Sequence, residues 1–296
     1  MTEHRPTTLT GIRVHHADYG GHPDGPSVVL VHGLGGSHLN WDLLAPRLTP
    51  YARVLALDLP GFGLSAPTGR ASTVRSNVAV LADFVQERGD PPAVVVGNSM
   101  GGLISVLLAA RMPQLVRGLV LLDPALPAPA QVLRSPATAA RLVAHALPGV
   151  GERLRREHRR RIGARATVDE TLRLCGVDQS ALPADLIARS VALVERQSDV
   201  GGMDRAFLSA SRSLAWSLVR AHRYHAAMAS IAAPVLLIHG DRDQLVPVAA
   251  ARATAAHRQD WHYVELEGVG HLPQLQVPDL VAEHILSWLR RRSPAS

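Results

Sequence analysis

Three side chains in this sequence have the types that acyl transfer needs. Ser99 lies in V-V-V-G-N-S-M-G-G-L, residues 94–103. A serine hydroxyl is a weak nucleophile until a neighbouring base takes its proton. His271, in E-G-V-G-H-L-P-Q, supplies an imidazole late in the chain, and imidazole is the usual base near neutral pH. An acid that orients the imidazole belongs between the two. The stretch H-G-D-R-D-Q-L-V-P at 239–247 offers Asp241 and Asp243, and Asp123 in L-L-D-P is a third option. Taken alone, G-N-S-M-G also fits a plain turn between two elements. Its flanks argue for more. Three β-branched residues precede it and G-G-L-I-S-V-L-L-A-A follows. This pattern predicts a buried strand running into a buried helix, with the serine on a sharp corner where glycines leave room. The helix N-terminus then favours negative charge at that corner.

The elements that must position these residues are legible as short apolar runs. Residues 27–31, 53–57, 93–96, 115–122, 234–238 and 262–266 read as strands, and 8–17 as a further strand with Gly11 as a turn point. Helical patterns fall at 39–48, 73–86, 100–111, 248–257 and 279–291. Strands of continuous Val, Leu and Ile alternating with helices predict an α/β fold with a mostly parallel central sheet flanked by helices. Ligands in such sheets bind beyond the carboxyl ends of the strands, where this chain places His32-Gly33, Asp58, Gly97, Asp123, His239-Gly240 and Gly268. The alternation stops after the strand ending at Asp123. From there to about residue 230 the sequence reads as helices broken at Pro136, Pro148-Gly149, Gly163, Gly176, Pro183 and Gly201-Gly202. The expected organisation is a core from 1–126 and 231–296, with a helical cap from 127–230.

Four motifs in register resemble the α/β-hydrolase fold superfamily, with capped serine hydrolases of the esterase and lipase kind as the nearest likeness. They are H-G-L-G-G at 32–36, D-L-P-G-F-G-L-S at 58–65, G-N-S-M-G-G at 97–102, and G-D-R-D-Q-L-V-P at 240–247 followed by G-H at 270–271. The chain order Ser99, Asp243, His271 is that of the superfamily. The resemblance implies that Asp243, in the pattern G-x-x-D-x-x-V-P, is the acid and that Asp241 is a turn residue. It implies an oxyanion hole from the backbone N–H groups of Leu34 and Met100. Gly33 and Gly35 let the first of these loops approach the substrate, and His32 braces it. Trp216 and Leu272 are the expected pocket residues, with Met203, Phe207 and Tyr224 as further apolar candidates in the cap. The function implied is hydrolysis of a carboxylic ester or lactone of a small to medium apolar substrate. Hydrolases that cleave carbon–carbon bonds of vinylogous diketo acids share the G-N-S-M-G-G elbow, but usually carry an aromatic residue where this chain has Leu272. A non-turnover binding protein on the same scaffold is the reading from another class. Haloalkane dehalogenases and epoxide hydrolases use an aspartate where this chain has Ser99.

Composition narrows the rest. The 296 residues carry one cysteine, Cys175, which excludes an intramolecular disulfide and a thiolate metal site. No zinc spacing or phosphate loop is present, so no cofactor or metal is expected. Net charge is +6, and the excess gathers in R-L-R-R-E-H-R-R-R-I-G-A-R at 153–165. Only 4% of residues are aromatic and none interrupts that run, so nucleic acid is not the expected partner. The run reads as a solvated helix face, with weak association with anionic surfaces as its alternative. The partner expected is a small-molecule substrate. The first residues hold no apolar h-region, and no run is long enough for a membrane helix, so a cytoplasmic protein is expected.

Overall fold

The computed structural model describes residues 2–9, 11–68, 72–127 and 150–291. Eight strands form one sheet: β1 Glu3–Leu9, β2 Ile12–Gly21, β3 Ser27–Val31, β4 Arg53–Leu57, β5 Ala93–Asn98, β6 Val116–Leu122, β7 Val235–Gly240 and β8 His262–Leu266. Their order is β1-β2-β4-β3-β5-β6-β7-β8. β1 pairs antiparallel with β2, and β2 with β4. From β4 to β8 every pairing is parallel. The expected run 8–17 is two strands rather than one. They form a hairpin with Leu9 opposite Ile12 and Gly11 at φ +82°. β1 reads E-H-R-P-T-T-L and is mostly exposed at the sheet edge. An edge strand buries little and tolerates proline, so it leaves no apolar run to read.

Helices cover both faces of the sheet. Among the described residues they are α1 Ala45–Leu48, α2 Val74–Arg88, α3 Met100–Arg111, α4 Val150–Leu174, α5 Ala184–Ser198, α6 Met203–Val219, α7 Ala221–Ala229, α8 Val248–His257, α9 Pro273–Gln276 and α10 Pro278–Arg290. Because strand side chains alternate, each all-apolar strand feeds two cores. Val29, Val31, Val95, Leu119, Leu121 and Leu237 pack with α2 and α3. Val28, Leu30, Val94, Val96, Leu122 and Ile238 pack with α1 and α10. The predicted helix 39–48 is split. Ser37 and Asn40 form a capping box on a 3-10 turn, His38–Trp41, and Pro46 starts the short α1.

The described part of the insertion, from residue 150 on, is mostly helical. Gly163 breaks α4 at φ +80°, Pro183 precedes α5, and Gly202 caps α6 at φ +90°. The breaks expected at Pro136 and at Pro148-Gly149 lie outside the described residues. α4 and α5 share a small core of Val168, Leu172, Cys175, Val177, Leu182, Leu186 and Ile187, which rests on Leu39, Leu272 and Leu275. Tyr224 and Met228 on α7 are buried in the main core with α3.

Candidate active site

Ser99 occupies the corner that its sequence predicts. It follows β5, caps α3, and holds φ +54° and ψ −120°, a strained conformation for a residue with a side chain. The surroundings enforce it. Its N–H donates to Leu122 O and Asp123 O, each at 3.2 Å, and its carbonyl accepts from Ala125 N at 2.9 Å. A Cβ at Gly101 would stand 2.1 Å from Val31 O, and one at Gly97 would stand 2.6 Å from Gly101 O. Only glycine lets the strand end and the helix start approach this closely.

His271 lies between β8 and α9 and is 3% exposed. Its Nδ1 is 2.7 Å from Asp243 Oδ2. With Nδ1–H donated to a carboxylate, Nε2 carries the lone pair that a base needs. Asp243 follows β7, and its other oxygen accepts from Leu245 N at 2.7 Å and Val246 N at 2.9 Å. Burial opposes its charge, but the hydrogen bond and charge of His271 and the two amides hold the carboxyl below the usual range. Asp241 instead accepts from Gly268 N at 2.7 Å and braces the turn. Asp123 is fully buried beside the pair and accepts from Gly240 N at 2.9 Å.

Leu34 and Met100 flank the elbow. The N–H of neither finds an acceptor among the described residues. A Cβ at Gly33 would lie 2.9 Å from Ser99 Cβ, so this loop passes directly over the serine. His32 braces it: Nδ1–H donates to Gly33 O at 2.7 Å and Nε2 accepts from Leu59 N at 3.1 Å. Burial lowers the His32 pKa, which fits a neutral ring with one N–H.

Asn98, whose role the sequence leaves open, makes specific bonds here. Its Nδ2 donates to Leu122 O at 3.0 Å and to His271 O at 3.1 Å. It therefore ties the serine's strand to the histidine's loop. An amide side chain next to the serine is the only sequence signal of that role. The turn after α4 ties into the same loop. His271 N donates to Cys175 O at 2.9 Å, and Gln276 bridges Gly270 N and Gly176 O.

The expected pocket residues separate. Leu272 is buried where the cap core meets the site loop. Gly35, at φ +78°, faces the ring of Phe207 on α6, which a Cβ would approach to 3.1 Å. Met203 is also buried on α6. Trp216 is 56% exposed, with the Arg220 guanidinium 4.4 Å from its ring. Tyr224 sits in the main core.

The arginine run is only partly a solvated face. Arg155, Arg156 and Arg159 converge on Asp204 at 3.3, 3.7 and 3.0 Å. The Arg155 guanidinium lies 3.5 Å over the Phe207 ring. Arg153 pairs with Glu157 and Arg165 with Asp169 one turn along α4.

Two trios place potential ligand atoms within 4.8 Å of one another: His15, His38 and Asp58, and Asp123, His239 and Asp243. Neither presents converging lone pairs. Asp58 accepts from His15 Nδ1, His38 Nδ1, His38 N and Leu64 N. His239 donates Nε2–H to Val246 O at 2.9 Å.

The model of the alpha/beta hydrolase fold family matches residues 26–278. The chain belongs to the α/β-hydrolase fold family. One relative of this hydrolase is the pimeloyl-[acyl-carrier protein] methyl ester esterase of Yersinia pseudotuberculosis. It is 28% identical over 272 residues, covering 88% of this chain and 92% of that protein. Lipase LipV of Mycobacterium tuberculosis is 44% identical over 115 residues, covering 38% of this chain and 42% of that one. Among solved structures, a membrane phospholipase A superposes with a TM-score of 0.76 at 26% identity, covering 99% of this chain and 87% of its own. No helix among the described residues is long and apolar enough to cross a membrane.

Proposed function

We infer that this α/β hydrolase cleaves a carboxylic ester or lactone through an acyl-enzyme on Ser99. The observation that carries the reading is the 2.7 Å contact of His271 Nδ1 with Asp243, on a loop that Asn98 ties to the elbow carrying Ser99. His271 Nε2 takes the hydroxyl proton as Ser99 Oγ attacks the carbonyl carbon. Asp243 holds the tautomer and stabilises the imidazolium. The N–H groups of Leu34 and Met100 receive the oxyanion. The imidazolium returns its proton to the leaving alcohol. Water then attacks the acyl-enzyme, with His271 as base again.

The relatives named as esterases and lipases support ester cleavage in general. Phe207 over Gly35 and Leu272 beside His271 support an apolar acyl group. We assign the pocket to Gly33, Gly35, Phe207 and Leu272.

Two measurements test the reading. Ser99→Ala should lower turnover of short p-nitrophenyl esters by about 10⁶-fold, the scale of a lost triad serine. Activity within tenfold of wild type contradicts it. A screen across ester chain lengths, lactones and a vinylogous diketo acid should show turnover of the first two. Turnover of the diketo acid alone would move the function to carbon–carbon cleavage.

A further inference from the structure

Asp123, His239, Asp243 and His271 form a buried cluster at the ends of β6 and β7, none more than 7% exposed. An oxygen of Asp123, Nε2 of His239 and an oxygen of Asp243 all lie within 4.8 Å of one another. His239 Nε2 stands 3.6 Å from Asp123 Oδ1 and 3.5 Å from Asp243 Oδ2. The acyl-transfer mechanism uses Asp243 and His271 and leaves Asp123 without a task.

The charges do not balance if both carboxyls ionise. His239 donates Nε2–H to Val246 O, and its Nδ1 is buried with no partner. A second proton there would be a buried, unpaired donor, so the ring is neutral. His271 must itself be neutral to act as base. Two buried carboxylates this close, with no cation between them, do not both ionise. The donors decide which one keeps its charge. Asp243 receives three N–H groups, from His271, Leu245 and Val246. Asp123 receives one, from Gly240. Its Oδ2 is buried without a hydrogen bond.

We propose that Asp123 is a positioning residue that stays protonated, turns its O–H toward Asp243, and tempers the anion that His271 leans on. Burial and the neighbouring Asp243 push the Asp123 carboxyl well above the usual carboxylate range, in the same direction. The other ionisable groups facing the cluster are the Cys175 thiol, which burial pushes up to about 12, and Tyr263 and Glu265 on β8. None of these supplies a cation. The proposal rests on the Ser99–His271–Asp243 reading.

The test compares Asp123→Asn and Asp123→Ala with wild type in kcat/KM against pH. Asparagine is neutral, still accepts from Gly240 N, and still donates toward Asp243. It should leave kcat/KM within about threefold and the acid limb in place. Alanine removes the donor, makes Asp243 a stronger acceptor, and should move the acid limb up by half a unit or more, with KM unchanged. Denaturation gives a second readout. Asp123→Asn should be more stable than wild type at pH 8, because holding a proton there disfavours the wild-type fold. That gain should vanish below pH 4.

Three results would overturn the proposal. If both variants shift the limb down, Asp123 carries a charge. If neither moves it, the role is structural. If Asp123→Asn loses activity while Asp243→Asn keeps it, the acid has been misassigned. Failure of the underlying reading looks different: Ser99→Ala would then stay active whatever Asp123 does.

Discussion

At the scale of single residues, the account separates groups that react from groups that hold them. Asp243→Asn keeps the shape but offers His271 Nδ1 the wrong partner. It should lower kcat by about 10⁴-fold, as expected when the tautomer is lost, while thermal stability changes little. Asn98 reacts with nothing, yet it bonds both Leu122 O and His271 O. Asn98→Ala leaves the buried His271 O without this donor and Leu122 O with only that of Ser99 N, which should destabilise the protein by about 2 kcal/mol. It should also lower kcat more than it alters KM. Equilibrium denaturation and steady-state kinetics on one preparation check both. The turns that carry Ser99, Asp243 and His271 were legible because their residue types and glycine frames are local. Asn98 was not, because its partner lies 173 residues away.

At the scale of elements, two junctions carry the site. The β5–α3 corner depends on glycines whose missing Cβ atoms would strike backbone rather than movable side chains. Gly101→Ala should therefore destabilise by about 3 kcal/mol, and calorimetry should show a lowered Tm. The other junction joins α4 to α6. Arg155, Arg156 and Arg159 share the buried Asp204. Asp204→Ala leaves three cations facing one another without their anion, a loss of about 3 kcal/mol when one partner of a buried pair is removed. Hydrogen exchange should quicken in α4 and α6 while β5 to β7 stay protected. Equal quickening in the sheet would show that the cap is not a separate unit. The arginine run read as solvated because its acceptor, Asp204, stands on a different helix.

At the scale of the whole molecule, the parallel strands were legible to within two residues, since those inside the sheet are apolar along most of their length. The edge hairpin was not, because exposed strands need no apolar run. Acid sensitivity also belongs at this scale. Asp58 is fully buried. Burial opposes its charge, but hydrogen bonds from His15 and His38 hold its carboxyl far below the ordinary range. The folded state therefore binds this proton less readily than the unfolded chain. Its stabilisation is complete above the unfolded carboxyl value near pH 4 and is lost as pH falls below it. Asp58→Asn should destabilise at pH 7 by about 3 kcal/mol and flatten the fall in stability between about pH 4 and about pH 2. Urea titrations across that window measure both.

The central claim is that Ser99 is a nucleophile activated by His271 and Asp243. The most direct measurement is labelling of wild-type protein with a fluorophosphonate, followed by mass spectrometry of the peptide that carries Ser99. The account predicts one adduct, on Ser99, whose formation tracks loss of esterase activity and which Ser99→Ala and His271→Ala both abolish. An active enzyme that takes up no label, or that takes it up at another residue while Ser99→Ala stays active, would contradict it.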